Sequence, residues 1–274
     1  MGMDNAGSDP GQGHDRTSGV PTRVHAIETF FQGWGPCLFV YGTWSVMLLA
    51  NILYVLVFSY NIPWQDDWMV IDILTGDRPM TIGWLWAEHN EHRLPLSKFL
   101  LIMSYEMTGD VRPAMYFTVT ALGALALAMI RAARDLRGWT GPTDAFFPMM
   151  LLHWGHSEVF LWSFEICYTL SVLLAGITLL VIVYSRDGLS VGGAIVLGTC
   201  LVLLPLTGAN GLVYVPPLTL WLIYAAVVAG YSRGPGAKRR AAVSLSFAFA
   251  SILVTVAYFI GRENIITAEH FLPI

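Results

Sequence analysis

The chain has 274 residues, 55% of them hydrophobic and only 12% charged, with a formal net charge of −4. A soluble domain carries about a quarter charged residues, so an ordinary soluble domain is excluded. With no basic surplus, no nucleic-acid partner is expected. Three cysteines, Cys37, Cys167 and Cys200, fall in apolar runs and form neither a metal-ligand spacing nor a disulfide framework.

Residues 1–29 begin with a Gly-, Asp- and Ser-rich stretch that lacks the apolar core of a signal peptide. They read as a disordered cytoplasmic tail, and residues 30–274 as a transmembrane domain. A span needs about 20 mostly apolar residues. The uncharged run 36–60 meets that requirement. Further spans are expected at 113–130, 145–164, 166–185, 189–206, 212–231 and 241–260. The expected fold is an all-α, polytopic transmembrane bundle of about seven spans, with a long first outer loop at 61–112. In that loop Lys98–Met107 is too short to cross and reads as an interfacial helix ending near Gly109. The third span is unusual because it carries His153, His156 and Glu158, with Glu165 just beyond it. Ionisable groups in a span are costly, so this segment should lie inside the bundle or break near Trp154–Gly155.

Lys and Arg set membrane orientation. With the N-terminus inside, ten of them fall on the cytoplasmic side and five outside. The chain is therefore expected in the bacterial inner (plasma) membrane, with a cytoplasmic N-terminus and an external C-terminus. Twelve of the nineteen acids gather on the outer side. Acids contribute little to orientation, so this accumulation points to a polar site on the outer face.

Four constellations could form that site. Asp66-Asp67 follows the first span by six residues, flanked by Trp64 and Trp68. Adjacent carboxylates near lipid repel, which raises one pKa and suits a general base. A solvated acidic turn, or an Asp66 cap on a helix at Trp68–Leu74, would explain the pair equally well. Next comes Glu88-His89-Asn90-Glu91-His92-Arg93. If helical, Glu88, His89 and His92 share one face, as ligands of a divalent metal would. The run could instead position a phosphate through Arg93, or be a solvated surface. The third constellation is His153, His156 and Glu158, either a structural pair bonded to neighbouring helices or a substrate- or metal-facing site. The fourth is Thr207–Gly211, an anion-binding glycine turn or simply a tight connection. Arg93, Lys98 and Arg262 are candidate phosphate partners, unless they only snorkel.

An acidic pair just after the first span, in PWQDDW, opens a long outer loop with amphipathic stretches around Ile71–Gly76 and Leu94–Met107. This arrangement resembles the GT-C superfamily of polytopic membrane glycosyltransferases. The resemblance implies transfer of a hexosyl or pentosyl group from a polyprenyl-phosphate sugar donor, with inversion. The acceptor would be a hydroxyl on a glycan, lipid or protein. It further implies Asp66 or Asp67 as the general base, with Asp66 preferred, and substrate contacts from Glu88, Asn90, Arg93, Lys98 and Arg262. A divalent metal, Mg or Mn, could be held by the acids and His89 or His92. Members of the superfamily usually continue into further spans or an outer soluble domain, so a minimal or truncated member is expected. Other readings are a transporter or channel, a metal-dependent membrane hydrolase in which His89, His92, His153 and His156 converge, and a non-catalytic scaffold. Transport would require a polar path from the acidic pair towards Arg131 or Arg186.

Overall fold

A computed structural model of the chain describes residues 34–186, 188–232 and 234–261. The expected tail at 1–29 and Arg262 lie outside these residues. The described chain is an all-α bundle, and its only strands are the two-residue arms of one hairpin.

Helix α1, Gly35–Phe58, has Pro36 in its first turn, where the missing N–H is harmless. Two polar side chains anchor this apolar helix. Trp44 Nε1 donates to the Gly123 carbonyl at 2.8 Å, and Asn51 Nδ2 donates to the Leu152 carbonyl at 2.7 Å. Leu38, Leu49, Leu53 and Leu56 stay exposed on its other face, as a lipid-facing surface requires.

The first loop is compact. It comprises a 3₁₀ turn (Gln65–Val70), α2 (Ile71–Leu74), α3 (Ile82–Trp86), β1 (Glu88–His89), β2 (His92–Arg93) and α4 (Pro95–Thr108). Gly109 ends α4 in the left-handed region (φ +67), as the position of that glycine predicts. Asn61 latches the loop shut. Its Nδ2 donates to the Gly109 carbonyl at 3.2 Å, and its Oδ1 accepts the Val111 N–H at 3.0 Å. Helix α5, Arg112–Arg137, then returns along the bundle.

The stretch expected as the third span, 145–164, is not one helix. It consists of α6 (Phe146–Leu151), a 3₁₀ turn at Trp154–His156, α7 (Ser157–Leu161) and a 3₁₀ turn at Ser163–Glu165. The break falls at His153, whose backbone is extended and whose Nδ1 accepts the Gly155 N–H at 3.0 Å. That side-chain cap competes with helix continuation. The stretch runs from Asp144, paired with Arg137, to Ser163, which bonds Asp67.

Helix α8 (Ile166–Tyr184) leads back. It is followed by α9 (Val191–Leu203), a 3₁₀ turn at Leu204–Thr207, α10 (Ala209–Leu212), α11 (Val215–Tyr231) and α12 (Ala237–Phe259). The Thr207–Gly211 segment is a tight connection. Gly208 has φ +122, and a Cβ on Gly211 would stand 1.9 Å from the Leu204 carbonyl oxygen. Thr207 Oγ1 lies 2.7 Å from Ser171 Oγ and donates to the Leu204 carbonyl, so the turn is locked to α8.

Among the described residues, five helical stretches are long and apolar enough to cross a membrane: 35–58, 112–137, 163–184, 209–231 and 237–259. Val191–Thr207 is apolar but shorter. Leu197, Leu201, Leu204 and Leu222 form the core between α8, α9, α11 and α12. Val55, Val119, Leu152 and Phe160 form a second core against α1 and α5. The bundle has two unlike ends. The first loop, with Asp66, Asp67, Glu88 and Glu91, makes an acidic end. Arg134, Arg137, Arg186, Lys238, Arg239 and Arg240 gather at the basic end.

Candidate functional site at the acidic end

The two aspartates of the acidic pair have different surroundings. Asp67 is only 2% exposed. Its Oδ1 accepts from Ser163 Oγ at 2.6 Å, and its Oδ2 accepts the Trp64 N–H at 3.1 Å. It is thus Asp67, not Asp66, that caps the turn. Burial pushes the Asp67 carboxyl above its ordinary range. The Ser163, Trp64 and Phe164 hydrogen bonds pull the other way, and the charge on Asp66 adds slightly to the rise. Asp66 keeps a third of its side chain exposed, and its Oδ1 lies 3.1 Å from His89 Nε2. The approach lacks hydrogen-bond alignment, so it becomes a charge pair when the ring is protonated. The preceding Gln65 has φ +44, an unfavourable backbone for a residue with a Cβ. Strain of this kind concentrates at functional sites.

A cleft of about 380 Å³ opens beside this turn, lined by Tyr54, Trp64, Gln65, Ser157, Glu158, Leu161 and Trp162. Glu165 is within electrostatic reach of Asp66, Glu158 and Asp67, so four carboxylates share one neighbourhood. Trp162 Nε1 is buried and has no acceptor among the described residues, which leaves an N–H donor in the cleft wall. His89 packs on Phe164 (ring centroids 5.6 Å apart), and Phe164 packs on Trp162 (5.8 Å). The cleft therefore has an aromatic side as well as an acidic one.

The Glu88–Arg93 run corrects the helical reading. It is a hairpin in which Glu88 pairs with Arg93 and His89 with His92. Asn90 takes φ +53 at the turn, a conformation that asparagine tolerates. In a hairpin the facing residues are 88 with 93 and 89 with 92, so Glu88, His89 and His92 do not share one face. His89 turns towards Asp66, while His92 is exposed.

Arg93 and Lys98 are both engaged within the loop, and neither lines the cleft. Arg93 is buried. Its Nε and Nη2 donate to Glu88 Oε1 at 3.3 Å, and Nη2 also donates to the Ile260 carbonyl at 2.9 Å. Its guanidinium covers the Trp86 ring, and its backbone N–H donates to the Tyr258 hydroxyl at 3.3 Å. Arg93 thus clasps the hairpin to the end of α12. Lys98 Nζ donates to the carbonyls of Ala87 (2.7 Å) and Trp84 (3.4 Å) and sits over the Trp84 ring. Burial pushes its ammonium down to about 8.

His153 and His156 pack on each other, with ring centroids 4.1 Å apart, next to Trp154, which stacks on Tyr54. Glu158 is exposed in the cleft wall. Among the described residues no three His, Cys, Asp or Glu side chains stand together as metal ligands. Ser163, Trp162, Gln65 and Tyr258 were missed by the sequence reading. Ser163 and Tyr258 are uncharged residues within apolar context, and they become partners of Asp67 and Arg93 only through folding.

Comparison with protein-family models, curated proteins and solved structures finds no match. Fold and site define an integral membrane helical bundle with a carboxylate-bordered cleft at one end.

Proposed function

We propose that this chain is a membrane glycosyltransferase of the GT-C kind, with Asp66 as its general base. The observation that carries the reading is the division of labour within the acidic pair. Asp67 is buried and hydrogen-bonded to Ser163, whereas Asp66 stays partly exposed beside His89 and next in sequence to Gln65 of the cleft wall. A structural carboxylate needs partners and a catalytic one needs access.

In the proposed step Asp66 accepts the proton of an acceptor hydroxyl. The acceptor oxygen attacks the anomeric carbon of a polyprenyl-phosphate sugar as the bond from that carbon to the phosphate oxygen breaks. The lipid phosphate leaves with the bond electrons, and the configuration inverts. His89 Nε2 stands 3.1 Å from the Asp66 carboxylate and flanks it on the hairpin side. We place the cleft on the outer face of a bacterial inner membrane, with the N-terminus cytoplasmic. This arrangement has seven crossings. Five are the continuous helical stretches, and the others are the interrupted 142–161 segment and Val191–Thr207. The surplus of Lys and Arg at the opposite end supports that orientation.

The test is transfer from radiolabelled polyprenyl-phosphate sugars in proteoliposomes. Asp66→Asn should lower transfer by ~10²–10⁴-fold while the protein stays folded. Asp67→Asn should spare the chemical step but lower stability, because the amide has one acceptor oxygen where Ser163 Oγ and the Trp64 N–H need two. Equal transfer by wild type and Asp66→Asn would rule out Asp66 as the base.

A further inference from the structure

A second opening lies at the basic end, remote from the acidic cleft and sharing no lining residue with it. It measures about 490 Å³ and is formed where the end of α8, the start of α9, the end of α11 and the start of α12 meet. Its rim carries Arg186 and Arg240 with the hydroxyl-bearing Ser185 and Ser232, and its floor is Trp221, Tyr224 and Val228. No carboxylate is among the described lining residues. Arg186 is exposed and has no ion-pair partner among the described residues. Arg240 Nη1 donates to the Pro235 carbonyl at 3.3 Å, and the guanidinium has no carboxylate partner among the described residues. The nearest described carboxylate contact on α8 is that of Asp135, taken up by the Tyr184 hydroxyl at 2.8 Å.

The apolar floor does not stop at the rim. Leu220, Tyr224 and Val228 follow one another on α11 at helical spacing and are 67%, 65% and 51% exposed. They form an uncovered stripe that runs from the basic rim towards the middle of the bundle. Two uncompensated guanidinium groups above such a stripe match a ligand with an anionic head and an apolar tail. A basic pocket between transmembrane helices is a recurrent site for lipid phosphates, and arginine is suited to phosphate recognition.

We infer that this opening holds an anionic phospholipid, with its phosphate between Arg186 and Arg240 and an acyl chain along Leu220, Tyr224 and Val228. The site does not depend on the transferase reading, since it would exist whatever the acidic cleft does. A bound lipid would tie the α8–α9 connection to the α11–α12 connection.

The test is native mass spectrometry of the full-length protein released from detergent, with phosphatidylglycerol, phosphatidylcholine or glycerol phosphate added. Phosphatidylglycerol should be retained preferentially, and Arg186→Gln and Arg240→Gln should each lower its retention roughly fivefold. Tyr224→Ser should weaken retention with both arginines intact. Lys238→Gln, at an exposed position outside the opening, should not. Equal retention of phosphatidylglycerol and phosphatidylcholine would overturn the inference. So would unchanged retention in the double arginine variant, or an equal loss in Lys238→Gln. Glycerol phosphate bound as tightly as the lipid would show a site for small anions instead.

Discussion

The two ends of the bundle handle charge in opposite ways. At the acidic end the charged groups are drawn into the fold. Asp67, Arg93 and Lys98 are all buried; Asp67 and Arg93 are hydrogen-bonded to distant parts of the chain, and Lys98 to carbonyls within the loop. At the basic end Arg186, Lys238 and Arg239 are exposed. Among the described residues there, Arg137 is paired with the buried Asp144 and Arg240 donates to the Pro235 carbonyl. Burying a charge costs several kcal/mol unless partners compensate, so a fold that buries three at one end gains a defined shape in exchange. The acidic end is thus a built site. The basic end is mainly a field of positive charge facing the membrane surface.

The contrast can be broken by mutation. The largest expected effect is on activity, the ~10²–10⁴-fold loss in Asp66→Asn set beside an Asp67→Asn that loses stability rather than the chemical step. If both substitutions only destabilise the protein, the acidic end is purely structural. Next is Arg93→Ala, which removes the clasp between the hairpin and α12. It leaves Glu88 and the Ile260 carbonyl without their guanidinium and should cost about 3 kcal/mol in thermal unfolding.

Lys98 gives a pH signature. Its ammonium is pushed down to about 8 in the native state from an ordinary value of 10.5. Between those pH values the unfolded chain holds a proton that the native chain has lost, so stability should rise with pH. The gain should be about 2 kcal/mol, less than the full shift implies because the Ala87 and Trp84 carbonyls favour the charged form. Melting curves from pH 7.5 to 10.5 should therefore slope upward relative to Lys98→Met. A matching slope in that variant would show that Lys98 is not the group responsible. The smallest effect should come from Arg239→Gln at the basic end, within about 0.5 kcal/mol of wild type.

Several features could be read from the residues alone. The apolar runs specify membrane-length helices because the backbone must satisfy its own hydrogen bonds in lipid, whatever packs beside it. Gly109 marks the end of α4 because the left-handed cap is a local requirement. The segregation of acids from bases, and hence the contrast between the two ends, is likewise written in the order of the spans.

Other features depended on contacts that cross the chain. EHNEHR fits a helix or a hairpin by composition. The choice fell to the hairpin, where Asn90 turns the chain, Arg93 reaches Ile260 and His89 reaches Asp66. Nothing in DD distinguishes the two aspartates. Asp67 is buried because Ser163, 96 residues later, supplies its hydrogen bond. The Ser163 position in turn depends on the break at His153. Apolar content and backbone hydrogen bonding are local, so sequence alone determined the membrane-type bundle. The exposure of a carboxylate is set by neighbours far along the chain, so only the tertiary structure decided which acid of the pair is buried and which stays partly exposed.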